Sequence, residues 1–247
     1  MAKTKTPLRD RLKKKKKELK ERTSGKSHII FQKEGDLRVR LLPTGDDNDF
    51  VFEVTSFYLG PNIKGIFSPV TFGEPCAIME KYEELKESDD PEDNELAKKF
   101  VPKKRYLAPV VVYQDTKGKK VDEENSGKLV QLSNNQYQEI IDLYLDNDEW
   151  GDMTQVDENG YDIKLSRIGT GQYDTEYSIL PFKNTPCPAK YAKPIDLEGM
   201  VRGVVATYEE TLAAINEFLN MGDEDDEDEK PKKTVKKKII KKKSKKA

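Results

Sequence analysis

The pattern of apolar and polar residues predicts three early β-strands. Residues 28–32 are apolar and β-branched, and residues 37–42 alternate three apolar side chains with Arg38 and Arg40 on the opposite face. Residues 50–59 form the next strand after a turn-forming stretch rich in Asp and Asn. The second and third of these segments predict a long β-hairpin.

Two further strand pairs follow later in the chain. Residues 105–114 are the most apolar strand, and residues 128–132 are their short partner. Residues 161–168 and 175–180 form the last pair, around two glycines. Ser133 lies where it would cap a helix that begins after the short partner strand.

Helical segments lie between and after the strands. Residues 76–88 and 92–100 predict charged helices inside an insertion over 60–100, and residues 208–219 predict an amphipathic closing helix. Five or more strands with one helix between the later ones favour an α+β, mainly β fold. We predict an OB-like Greek-key barrel with a helical insertion and a closing C-terminal helix. A generic α+β sandwich is the alternative.

Charge is strongly segregated along the chain, although the net charge is only −2. Residues 1–26 carry 12 Lys and Arg against 3 acids, residues 223–229 are all acidic, and residues 230–247 carry 11 Lys and no acid. Residues 27–222 have a net charge of −15. Blocks of like charge repel and stay solvated, so we predict disordered charged tails around one core over 27–222.

The residues that support catalysis or metal binding are scarce. The chain has one histidine, His28, and two cysteines, Cys76 and Cys187. It has no Gly-rich phosphate loop that opens a helix, and its Cys and His spacing is not that of a zinc site. No apolar run approaches the roughly 20 residues that span a bilayer. We predict a soluble cytosolic protein that is not an enzyme and has no cofactor.

Cations and rings recur together on the predicted strands. Single-stranded nucleic acid is held by cations along the phosphates and aromatic side chains under the bases. The net charge of the core requires that such binding be confined to a local groove. Each tyrosine on a predicted strand has an alternative role in half-buried strand packing. The candidate contacts are Arg38, Arg40, Lys103, Lys104, Arg105, Tyr106, Tyr113, Tyr137, Lys164, Arg167, Tyr173 and Tyr177.

Three blocks of sequence resemble the single-stranded DNA-binding, helix-destabilising proteins of T-even-type phages. The first is residues 36–54, with Arg40 and Pro43 in an Arg-x-x-Pro signature. The second is residues 103–142, with a basic-aromatic strand, a partner strand and a helix, and the third is residues 151–177. The order and spacing of the blocks make the resemblance specific, and it covers roughly residues 30–182.

The resemblance implies an OB-type core that binds single strands without sequence preference in phage DNA replication, recombination and repair. It places Arg40, Lys103, Tyr106 and Tyr173 at DNA-contacting positions. It also implies cooperative self-association through a basic N-terminal arm, residues 1–26 here. An acidic tail would recruit replication and recombination proteins and compete with DNA. The location implied is the cytoplasm of the infected bacterial host.

Two features depart from the family pattern. The family's zinc subdomain uses three Cys and one His, whereas residues 60–100 contain only Cys76, so we predict no metal and apolar packing instead. The Lys-rich end after the acidic block has no family counterpart; it could pair with that block, bind DNA or only add solubility. The other functions to weigh are an acidic protein-interaction adaptor or chaperone-like factor, and a single-stranded RNA-binding protein.

Overall fold

One open sheet organises the part of the chain that the structure, a computed structural model, describes. That part comprises residues 29–45, 50–60, 63, 65–121, 127–146, 150–169 and 174–221. The predicted arm and tails, and Tyr173, lie outside it. The eight strands are β1 (Ile29–Ile30), β2 (Gly35–Leu41), β3 (Phe52–Phe57), β4 (Ile66–Phe67), β5 (Lys103–Gln114), β6 (Lys128–Leu132), β7 (Asp162–Ile168) and β8 (Glu176–Phe182).

The strands run in the order β1-β6-β5-β2-β7-β8, and β3 pairs with both β5 and β4. The predicted mixed fold with a dominant sheet is confirmed, and so are the pairs β5–β6 and β7–β8. The pairing forms an open path, so an OB-like closed barrel stays a prediction.

Five α-helices accompany the sheet within the described residues. They are α1 (Ala77–Lys86), α2 (Pro91–Ala97), α3 (Asn134–Asp146), α4 (Leu197–Arg202) and α5 (Tyr208–Met221). The predicted insertion helices are α1 and α2, and the predicted closing helix is α5. Ser133 caps α3 as expected: its Oγ accepts from Gln136 N, and its own N–H donates to Gln136 Oε1. None of the described helices has the length and apolar character that a membrane crossing needs.

The predicted hairpin between β2 and β3 is wrong. Both strands pair with β5 instead: Leu41 lies opposite Val110, and Phe52 lies opposite Leu107. The reason is the composition of β5, which is apolar at most positions and is buried from Tyr106 onward on both faces. A long strand of this kind offers two successive partner sites, and it removes more apolar surface from water than a hairpin between its two partners would.

The insertion packs as an apolar unit with the closing helix. Cys76 and Phe100 are buried in one cluster with Ile215 of α5, and the Phe100 and Phe218 rings meet edge to face at 5.3 Å. Thr211 of α5 also accepts a hydrogen bond from the first backbone N–H of α1. The predicted apolar packing is thus present. No group of three or more His, Cys, Asp or Glu among the described residues could hold a metal ion.

Candidate nucleic-acid interface

A cleft of about 1160 Å³ opens beside β3 and the first residues of β5. Its cationic side chains come from the end of the insertion, from β5 and from β7, and none of the described residues lining it carries a carboxylate. We call it the cationic cleft. Its five cations are Lys98, Lys99, Lys103, Arg105 and Arg167. Lys98 also pairs at 2.6 Å with Glu95, which lies outside the lining. A concentration of cations in a core of net charge −15 would attract an anion.

Three exposed aromatic rings line the same cleft. Tyr58 is 56% exposed, Phe31 is 49% exposed and Tyr177 is 39% exposed. Phe31 is held parallel to Phe67, with ring centroids 6.2 Å apart and planes within 7°. Large rings are usually buried, so three of them in one cleft leave flat apolar faces available for stacking.

Strand alternation divides the predicted basic-aromatic cluster at the start of β5. Lys103 and Arg105 line the cleft, whereas Lys104 and Tyr106 do not. Lys104 instead forms an ion pair with Glu53 at 2.8 Å, and the hydrogen bond to Glu53 raises the pKa of Lys104. Of the four consecutive residues 103–106, only Lys103 and Arg105 therefore contribute cations to the cleft.

Arg167 organises one side of the cleft. Its Nη1 donates to the backbone oxygen of Gln32 at 2.7 Å, which fixes the residue next to Phe31. Its guanidinium also lies 5.8 Å from the centre of the Tyr177 ring, directly across the β7–β8 pair. Arg167 thus contacts the Tyr177 ring and the backbone next to Phe31, as well as contributing charge.

The β2 arginines lie in a different environment. Arg40 is fully buried and donates twice to Asp162 Oδ1, at 2.8 and 3.0 Å, and to Gln155 O at 2.7 Å. Arg38 Nε lies 3.4 Å from Asp162 Oδ2, and its Nη2 donates to Thr185 at 2.7 Å. We call Arg38, Arg40 and Asp162 the arginine–aspartate node.

Burial dominates the electrostatics of the node. Burial raises the pKa of the Asp162 carboxyl above its ordinary value. The hydrogen bond with Thr185 and the charges of Arg40 and Arg38 lower this pKa, but by less. The two arginines share a strand face, as predicted, but the segments around Gln155 and Thr185 cover that face. Arg40 has no exposed surface through which to reach DNA.

Most of the other predicted rings are packed inside the protein. Tyr106 and Tyr137 lie 4.4 Å apart, and the Tyr106 hydroxyl donates to Asn134. The Tyr113 hydroxyl donates to the backbone oxygens of Thr185 and Pro186, and burial raises the pKa of Tyr113. The alternative role in strand packing therefore describes Tyr106 and Tyr113, and Tyr137 packs from α3 against Tyr106.

Lys164 lies outside the cleft as well. Its Nζ forms an ion pair with Asp36 at 3.4 Å. In the β2–β7 pair, Lys164 lies opposite Arg38. Tyr173 belongs to the loop outside the described residues. Of the twelve predicted contacts, the cleft therefore brings together Lys103, Arg105, Arg167 and Tyr177.

Four aromatic or cationic residues of the cleft were not among the candidate contacts predicted from the sequence: Phe31, Tyr58, Lys98 and Lys99. One signal could have identified Tyr58. It follows Phe57 in a β-strand pattern, so the alternation that buries Phe57 turns Tyr58 outward. Lys98 and Lys99 belong to the insertion, and only the fold brings them opposite β5.

The sequence profile described as gp32 DNA binding protein like matches residues 33–219. The match includes β2 to β8 and all five helices up to the last turn of α5. No curated protein matches the sequence. The resemblance inferred from the three sequence blocks is confirmed, and the matching family is one of DNA-binding proteins, not of enzymes. The chain belongs to the gp32 DNA-binding-protein-like family.

Proposed function

We propose that the protein binds single-stranded DNA without sequence preference, in the cationic cleft. The observation that carries the proposal is the convergence of five cations and three exposed rings in one cleft without a described carboxylate. Cations hold the phosphate backbone, and rings stack on any base because every base has an aromatic face. Neither kind of contact reads sequence.

The acidic surroundings confine the strand to this cleft. Residues 27–222 carry a net charge of −15, so a phosphate outside the cleft meets repulsion. If each of the five cations neutralises one phosphate, log K should fall with log salt at a slope of about −3.5. Arg105 and Lys103 lie two residues apart on one strand face and so would contact neighbouring phosphates.

The wider role rests on the family resemblance. We propose that the protein coats and protects single strands in phage DNA replication, recombination and repair, in the cytoplasm of the infected host, without catalysing a reaction. The basic arm over residues 1–26 would mediate self-association along the strand, and the acidic block over 223–229 would bind partner proteins. The sheet would correspond to an OB-like core that needs no zinc.

Fluorescence titration of the full chain with oligo-dT, at two salt concentrations, tests the proposal. Lys103→Glu should weaken binding by about tenfold or more because it replaces a phosphate contact with repulsion. Lys104→Glu is the matched control: it makes the same charge change one residue away, outside the cleft, and should change affinity by about twofold at most.

The outcomes separate the competing functions. Equal affinity for duplex and single-stranded DNA would contradict the proposal, and so would equal losses in the two lysine variants. Oligo-rU binding as tight as oligo-dT binding would favour the RNA-binding alternative, since the two differ chiefly at the 2′-hydroxyl. An absence of binding to either at low salt would favour the acidic adaptor.

A further inference from the structure

A second groove adjoins the cationic cleft and shares a wall with it. The groove has a volume of about 890 Å³. Phe31, Tyr58, Gly65 and Phe67 line both. Its far side is the face of α5 that presents Ala213 and neighbouring residues. We call it the apolar groove.

The charge of the apolar groove is opposite to that of the cleft. Its lining includes the carboxylates of Glu210 and Glu217 on α5 and, among the described residues, no Lys or Arg. A DNA strand that follows the cleft would meet repulsion here. The small side chain of Ala213, the open position at Gly65 and the exposed Phe31 ring favour an apolar occupant. The groove therefore suits a segment that is both apolar and cationic.

The chain itself contains such a segment. Residues 230–247 hold 11 Lys and no acid, and Val235, Ile239 and Ile240 are interspersed among the lysines. We propose that residues 234–243 dock in the apolar groove of the same molecule. Ile239 and Ile240 would lie against the apolar floor, and the flanking lysines would lie against Glu217 and Glu210.

The point of attachment supports docking within one molecule. The helix α5, which forms the far wall, ends at Met221, four residues after Glu217. The 12 residues from 222 to 233 connect it to the proposed segment. Twelve residues reach at most about 40 Å when fully extended, and the α5 wall from residue 210 to 221 is only about 17 Å long. The linker can therefore return the segment to the groove.

Docking would have a consequence for DNA binding, and this part rests on the proposed function. Because the groove and the cleft share Phe31 and Tyr58, a docked tail would place its remaining lysines beside the bound strand. The tail would extend the path of positive charge beyond the five cations of the cleft. The adjoining acidic block, residues 223–229, would be held away from the strand at the end of α5.

Photocrosslinking in the full chain without DNA tests the docking. With p-benzoylphenylalanine in place of Ile240, ultraviolet light should join residue 240 to the groove, in peptides containing residues 63–67 or 213–217. Glu217→Lys should reduce the yield about fivefold or more, since it turns attraction into repulsion. Glu209→Lys makes the same charge change on α5 outside the groove and should leave the yield unchanged.

Crosslinks that map to the acidic helices α1 and α2, to residues 223–229 or to a second molecule would overturn the proposal. Equal yields in the Glu217 and Glu209 variants would also overturn it. The Lys103→Glu variant separates this proposal from the proposed function. It should bind oligo-dT about tenfold or more weakly while it keeps the crosslink, so failure of either measurement leaves the other informative.

Discussion

The cationic cleft and the arginine–aspartate node both place an arginine beside a tyrosine ring, yet the two regions differ in what surrounds their cations. In the cleft, Arg167 lies beside Tyr177, and in the node, Arg38 lies 5.4 Å from the ring centre of Tyr113. The node includes Asp162, a carboxylate with no exposed surface, and the cleft has none among its described residues. One buried acid therefore distinguishes a cation–ring pair that supports the interior of the protein from a cation–ring pair that lines an open cleft.

Removing that acid should produce the largest effect. Asp162→Ala leaves Arg40 buried without its counter-charge, and breaking such a pair costs about 3–5 kcal/mol. Urea denaturation should show the loss in the free energy of unfolding. Asp36→Ala is the control, because Asp36 pairs with Lys164 at the surface and such pairs contribute about 1 kcal/mol or less. Equal losses in the two variants would show that the node does not support the fold.

Removing a ring from the cleft should affect binding and leave the fold intact. Tyr177→Ala should weaken oligo-dT binding by about 1–3 kcal/mol, the range for losing one base-stacking platform. The control is Tyr144→Ala on α3, which removes a ring that is similarly exposed, at 43%, but outside the cleft. If both variants bind oligo-dT like the unchanged protein, Tyr177 is not a stacking platform.

The smallest effect should come from the hydroxyl group of Tyr113, whose ring lies beside Arg38 of the node. Tyr113→Phe removes the hydrogen bonds to the carbonyls of Thr185 and Pro186 and should cost about 1 kcal/mol of unfolding free energy. Tyr58→Phe changes an exposed tyrosine in the cleft, where the ring persists, and should alter neither stability nor oligo-dT affinity. A drop in oligo-dT affinity with Tyr113→Phe at unchanged stability would reverse the roles assigned to the two regions.

Much of the fold was predictable because the strands and helices carry strong local patterns. The pair β5–β6, the pair β7–β8, the cap at Ser133 and the helix α5 all follow from periodicity over short windows. The pairing of β2 and β3 was not predictable in this way. Both strands suit a hairpin locally, and only the burial of β5 decides the outcome.

The site was less predictable than the fold for a related reason. Sequence patterns identify cations and rings, but whether Arg40 meets DNA or Asp162 depends on a residue 122 positions later. Conversely, the only aromatic residue next to Lys98 and Lys99 is Phe100, which is buried, and the two lysines reach the cleft because α1 and α2 pack against α5. Within β5, the strand period of two was enough to separate Lys103 from Lys104.

The central position of β5 also sets the order in which a ribosome can complete this protein. Both β2 and β3 emerge before β5, and more than forty residues separate Phe57 from Lys103. At translation rates of about 5–20 residues per second, two strands with open edges wait on the order of seconds for their partner. The other edge of β2 stays without a strand partner until β7 has been synthesised. Unpaired strand edges can pair with other chains, so synthesis is the period in which β2 and β3 are most exposed to such pairing.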